Sequence, residues 1–159
     1  ATRAIVVNSP SNPTGLTATR DELAATLDLA RRHGLWIVAD EIYGRFVYAG
    51  DRAPSFHDLI KPADRVMFVQ TMSKNWAMTG WRVGWLEAPP ELGDVIENLI
   101  QYSSSGVPVF AQRGATAIGR RESGSRRGKH RRRLESWARV RDGSASRASA
   151  SVARRTRPR

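Results

Sequence analysis

Cysteine is absent from the 159 residues, which excludes disulfide frameworks, thiolate zinc sites and cysteine nucleophiles. Also missing is any apolar run near the roughly 18 residues that a membrane helix needs, and the N-terminus shows no signal-peptide pattern. The expectation is a soluble, cytoplasmic chain without a membrane partner. Acidic residues are scarce: 15 Asp and Glu stand against 26 Lys and Arg, a net charge of +11. Such a balance is typical of nucleic-acid binders, but the average hides two segments. Residues 1–118 hold 11 basic and 12 acidic side chains, close to neutrality. Residues 119–159 hold the other 15 basic side chains and only 3 acidic ones.

The near-neutral segment is long enough to bury a core of its own, and it alternates apolar runs with helical patterns. Ala4-Ile5-Val6-Val7 is a β-branched run that ends at Asn8-Ser9-Pro10, the pattern of a buried strand entering a loop. The loop Ser9-Pro10-Ser11-Asn12-Pro13-Thr14-Gly15 is dense in turn formers. Thr19 and Glu22 have capping-box spacing, Leu23, Leu27 and Ala30 follow at helical intervals, and Gly34 is a helix stop. Leu35-Trp36-Ile37-Val38-Ala39 is a second apolar run, leading into Asp40-Glu41. Strand, helix, strand with both strands apolar throughout predicts a right-handed βαβ unit in a parallel sheet covered on both faces. Residues 65–70 and 81–86 are the third and fourth strand candidates. Pro89-Pro90-Glu91 opens a helix with Leu92, Val95, Ile96, Leu99 and Ile100 as its apolar positions, and another starts near Pro108 and runs through Ala117.

Polar side chains collect where these strands end: Asn12 after the first, Asp40 and Tyr43 after the second, Ser73 and Lys74 after the third. Open α/β sheets bind ligands at that edge. By residue type alone, Lys74 is a solvated lysine, Asp40 a helix cap, Tyr43 a half-buried aromatic, Asn12 an Asx turn and Arg82 one half of a surface ion pair.

Three motifs suggest more. Asn12-Pro13-Thr14-Gly15, Asp40-Glu41-Ile42-Tyr43, and the run from Ser73-Lys74-Asn75-Trp76 to Gly80-Trp81-Arg82-Val83-Gly84 resemble, in order and separation, those of class I/II aminotransferases. These are fold type I pyridoxal-phosphate enzymes related to aspartate aminotransferase. The resemblance extends to about residue 118 and implies part of the family's large domain: an α/β unit with a mainly parallel sheet and helices on both faces. It implies that Lys74 forms the Schiff base with pyridoxal 5′-phosphate and then serves as general base and acid. It implies that Asp40 faces the pyridine nitrogen and keeps it protonated, and that Tyr43 and Asn12 donate to the ring oxygen. Arg82 would bind the phosphate, joined by Ser73 and Thr71, the family more often having serine at the Thr71 position. The implied reaction moves an amino group between an amino acid and a 2-oxo acid, in a homodimer when intact. A lyase or decarboxylase of the same fold is the alternative. In the family, a ring-stacking aromatic and a glycine-rich phosphate loop lie upstream of the Asn-Pro-Thr-Gly motif, and a small domain follows the large one. The 159 residues are therefore expected to be inactive by themselves.

From Gly119 the text turns to Arg, Ser, Gly and Ala without apolar periodicity, and only Leu134, Trp137, Val140 and Val152 are large or β-branched apolar residues. Such a composition predicts a disordered tail. It reads as the out-of-frame product of a GC-rich gene; the alternative is a basic tail that binds nucleic acid through unselective charge attraction.

Overall fold

The computed structural model describes residues 1–125 and 152–154. Strand β1 (Ala4–Asn8) leads through the proline-rich loop to helix α1 (Arg20–His33), which returns the chain to β2 (Trp36–Asp40). After a long connection containing a 3₁₀ turn at Phe56–Asp58 come β3 (Val66–Thr71) and, without a break, the single-turn helix α2 (Met72–Asn75). A second 3₁₀ turn at Thr79–Trp81 precedes β4 (Gly84–Ala88). Helices α3 (Gly93–Ser103) and α4 (Val109–Ser125) follow, and the short strand β5 (Val152–Arg154) completes the sheet.

Capping sets the limits of α1. The Thr19 hydroxyl accepts from the Glu22 N–H at 3.2 Å while the Glu22 carboxylate accepts from the Thr19 N–H at 2.7 Å, the reciprocal capping box expected from their spacing. At the other end Gly34 takes φ +62°, a left-handed conformation that closes the helix. Leu23, Leu27 and Ala30 are buried against Ile37 and Ala39 of β2, Val66 and Phe68 of β3, and Phe56. A second core joins Met72, Met78 and Val83 to Ala111 and Ala115 of α4.

The sheet order is β1-β2-β3-β4-β5. The β1/β2 and β2/β3 pairs are parallel, β3/β4 is antiparallel and β4/β5 parallel. Parallel pairing of β1 with β2 through α1 agrees with the expected βαβ unit. Three features differ from expectation. The fourth strand begins at Gly84 instead of Trp81, because Thr79–Trp81 turns as 3₁₀ and Arg82 takes φ +52°. Cover is also uneven: β2 and β3 alternate buried and half-buried residues, and Val6 of β1 is 71% exposed. Finally, α4 runs through Ser125 and residues 152–154 pair as a strand, so helix and strand stand at those positions where the composition predicts disorder. The rest of the expected tail, and the nucleic-acid reading attached to it, lies outside the described residues.

Candidate active site

Asn8 organises the loop that follows β1. In register it lies opposite Asp40 of β2, and its side-chain amide donates to the Asp40 carbonyl at 3.4 Å. Its side-chain oxygen accepts from the Asn12 N–H at 3.0 Å. Ser9, buried, accepts from the Ala18 N–H at 2.9 Å, and the Ser9–Pro10 and Asn12–Pro13 peptide bonds are both cis. The loop is thereby tied at both ends, and Asn12 is presented toward the segment after β2. There its Nδ2 donates to the Tyr43 hydroxyl oxygen at 3.1 Å. A tyrosine oxygen that accepts keeps its own proton to donate, and the amide keeps its second N–H.

Lys74 reaches the same place from β3. It sits on the single turn α2, whose N-terminus is capped by the Thr71 hydroxyl accepting from the Ser73 N–H at 3.1 Å. The Lys74 ammonium lies 5.8 Å from the centroid of the Tyr43 ring, within cation–π range. Asn12, Tyr43 and Lys74, far apart in sequence, are thus brought together. Asp40, half-buried, stands at the end of β2 opposite Asn8 and Val69, and one of its carboxylate oxygens accepts from the Ile42 N–H at 3.4 Å.

The remaining expected residues lie on the loop that follows Lys74 and at its root. Arg82, exposed, donates through Nη1 to the Thr79 carbonyl at 3.1 Å, and the Thr79 hydroxyl donates to the Ser73 carbonyl at 3.2 Å. Thr79 therefore stitches Arg82 and Ser73 into one loop. Thr71 differs from its expected part as a phosphate donor: its hydroxyl proton is committed to the Val83 carbonyl at 3.1 Å while its oxygen caps α2. It acts on the loop backbone here.

Glu41, Thr79 and Asn8 hold the segments that carry these residues but are not named as site residues from the sequence. Glu41 is buried and accepts from the Ser55 hydroxyl at 2.6 Å and the Phe56 N–H at 3.0 Å, anchoring the Asp40–Tyr43 segment to the first core. The signal for Glu41 is its place beside Asp40 in the Asp40-Glu41-Ile42-Tyr43 motif; for Asn8 it is an amide at a strand end.

The model of the aminotransferase class I and II family matches residues 1–141. The chain belongs to that family. It is 38% identical over 117 residues to an aspartate aminotransferase of Bacillus subtilis, covering 73% of this chain and 30% of that protein. To an arginine–pyruvate transaminase of Pseudomonas aeruginosa it is 40% identical over 114 residues, covering 72% and 29%. The crystal structure of an aspartate aminotransferase from Thermotoga maritima superposes with a TM-score of 0.67 at 33% identity, covering 71% of this chain and 30% of that one. The chain thus spans about 30% of the length of these relatives. Class I and II aminotransferases depend on pyridoxal phosphate. The donor set fits that group: a paired amide and phenol suit a ring oxygen that carries negative charge, and a carboxylate suits a pyridinium. Ser73 and Arg82, stitched on one loop, suit a phosphate. Among the described residues no helix is long and apolar enough to cross a membrane.

Proposed function

We propose that this chain is the cofactor-holding part of a pyridoxal-phosphate-dependent aminotransferase acting between an amino acid and a 2-oxo acid. The observation that carries the reading is the convergence of Asn12, Tyr43 and Lys74 at the carboxyl ends of parallel strands, where open α/β sheets take their ligands. When bound, the cofactor supplies an electron sink for the bond broken at the substrate α-carbon. Asp40 would hold the pyridine nitrogen protonated. Asn12 and Tyr43 would donate to the ring oxygen and Arg82 and Ser73 to the phosphate, while Thr71 orders the turn that carries Ser73. Lys74 would hold the cofactor covalently through its Nζ and, once released, carry the proton to and from the substrate carbon.

Relatives named as aspartate aminotransferase and arginine–pyruvate transaminase favour amino transfer over elimination or decarboxylation, while their differing substrates leave the amino acid unassigned. A homodimer in the cytoplasm belongs to the same proposal. The test is direct, because the chain has three lysines, Lys61, Lys74 and Lys129. Incubation with pyridoxal phosphate, borohydride reduction and peptide mapping is expected to find the label mainly on Lys74. Labels spread evenly over the three lysines would defeat the reading.

A further inference from the structure

The turn that carries Lys74 depends on contacts beyond the helix itself. Helix α2 has four residues, too few to be stable without tertiary contacts. The loop beyond it holds two non-glycine residues in the left-handed region, Ala77 at φ +53° and Arg82 at φ +52°. Such conformations persist only where the surroundings over-determine them. Backbone bonds help, with the Met72 N–H donating to the Val83 carbonyl at 3.0 Å and the Met78 N–H to the Met72 carbonyl at 3.3 Å, and side-chain contacts from the neighbouring segment add to them.

Two of the contacts that join the segment after β2 to this turn mirror one another. Tyr43 offers its ring to the Lys74 ammonium at 5.8 Å, and two residues on, Arg45 places its guanidinium 4.9 Å from the centroid of Trp76, itself two residues beyond Lys74. Aromatic and cation exchange sides between the two contacts. The second is the closer, and a guanidinium plane stacks on indole better than an ammonium does. Trp76 is rooted as well: it packs against the core of Met72, Met78, Val83, Ala111 and Ala115, with its ring 6.2 Å from that of Trp85. Its backbone N–H also closes α2 by donating to the Lys74 carbonyl. On the other side, Glu41 ties the Arg45 segment to Ser55 and Phe56.

We infer that Arg45 is a positioning residue of the site: seated on Trp76, it clasps the Lys74 turn to the Tyr43 segment and so holds the Lys74 amine at the cofactor's place. The inference rests on the proposed function only in what the held amine is for. The clasp itself is a matter of two side chains.

The experiment uses the full 159-residue chain and the variants Arg45→Met, Trp76→Leu, their double, Arg45→Lys and Trp76→Phe. The first readout is the urea midpoint without cofactor. A clasp makes the double variant lose no more than the worse single one, whereas additive losses would overturn it. The second is the ratio of Lys74 to Lys61 labelling by pyridoxal phosphate and borohydride. This ratio is expected to fall roughly three- to tenfold in Arg45→Met and Trp76→Leu, the span an ordinary cation–π contact would produce, and to return within about twofold in Arg45→Lys and Trp76→Phe. Lower midpoints with an unchanged ratio would make Arg45 a stabilising residue only and overturn the positioning role. Equal labelling of the lysines in the wild type would defeat the aminotransferase reading, while the midpoint cycle would still decide for or against the clasp.

Discussion

Polar side chains around the strand ends hold backbone before they offer anything to a ligand. Asn8 spends both ends of its amide on the Asp40 carbonyl and the Asn12 N–H, and Thr71 spends its hydroxyl on Val83 and Ser73. That is why Asn12, Tyr43 and Lys74 were legible as residue types in a motif while Asn8 and the capping duty of Thr71 were not: hydrogen bonds to distant backbone leave no spacing to read. Asp64, before β3, shows the same economy away from the site. Its carboxylate, with the side chain 8% exposed, accepts from Arg31 Nε at 2.9 Å and Nη2 at 2.8 Å and from the Lys61 N–H at 2.6 Å. The Arg31 hydrogen bonds, helped by Lys61 and opposed by burial, hold this carboxyl below its ordinary range. A carboxyl depressed on folding adds stability that is fully present above its unfolded pKa, about 3.9. The contribution is lost as pH falls through the lower folded value. Asp64→Asn is therefore expected to cost about 1–2 kcal/mol at neutral pH, with the gap closing in acid. Urea midpoints for the wild type and the variant, compared at neutral pH and in acid below the carboxylate range, check this; a gap that persists in acid refutes it.

Among secondary-structure elements, those with a strong local signal were readable: α1 from its capping box, stripe and glycine stop, β2 and β3 from β-branched and aromatic runs. The fourth strand was readable in existence but not in start or direction. Trp81, Arg82 and Val83 continue the apolar text, yet Trp81 turns away so that its ring lies where a Cβ on Gly114 of α4 would meet it at 2.8 Å. Direction is set by pairing with β3, where Thr71 faces Gly84 and Phe68 faces Glu87, and no local pattern encodes that. Gly84 makes the pairing possible. A Cβ there would come within 2.8 Å of the Gln70 carbonyl oxygen, a backbone atom without freedom to swing aside. Gly84→Ala must push β3 and β4 apart one residue before α2 begins, and a loss of about 1–3 kcal/mol is expected from such overpacking. Thermal denaturation reads it, and an unchanged midpoint would show that the two strands have slack.

The molecule taken together presents an open site. Asn12, Lys74 and Arg82 are exposed, and on the sheet face that carries Asp40, Val6 is 71% exposed with Val38, Met67 and Val69 half-buried. Helix α4 passes the boundary expected at residue 118 and the family match runs on to 141. Apolar periodicity, which marks buried faces only, gave no sign of that continuation. The 159 residues span about 30% of the length of the relatives, and the proposed site is a set of groups for holding a cofactor. Aminotransfer asks for more. The cofactor ring and the substrate α-carbon must be held in a fixed relative orientation in a site that excludes water, and such positioning is worth roughly 7–11 kcal/mol of barrier. A lysine amine open to solvent can capture an aldehyde and lose it again to water. The 159-residue polypeptide is accordingly expected to take pyridoxal phosphate on Lys74 when trapped with borohydride. With an amino acid and a 2-oxo acid it should transfer amino groups no faster than free pyridoxal phosphate at the same concentration. Turnover above that background, abolished by Lys74→Ala, would show that these residues suffice for a closed catalytic site.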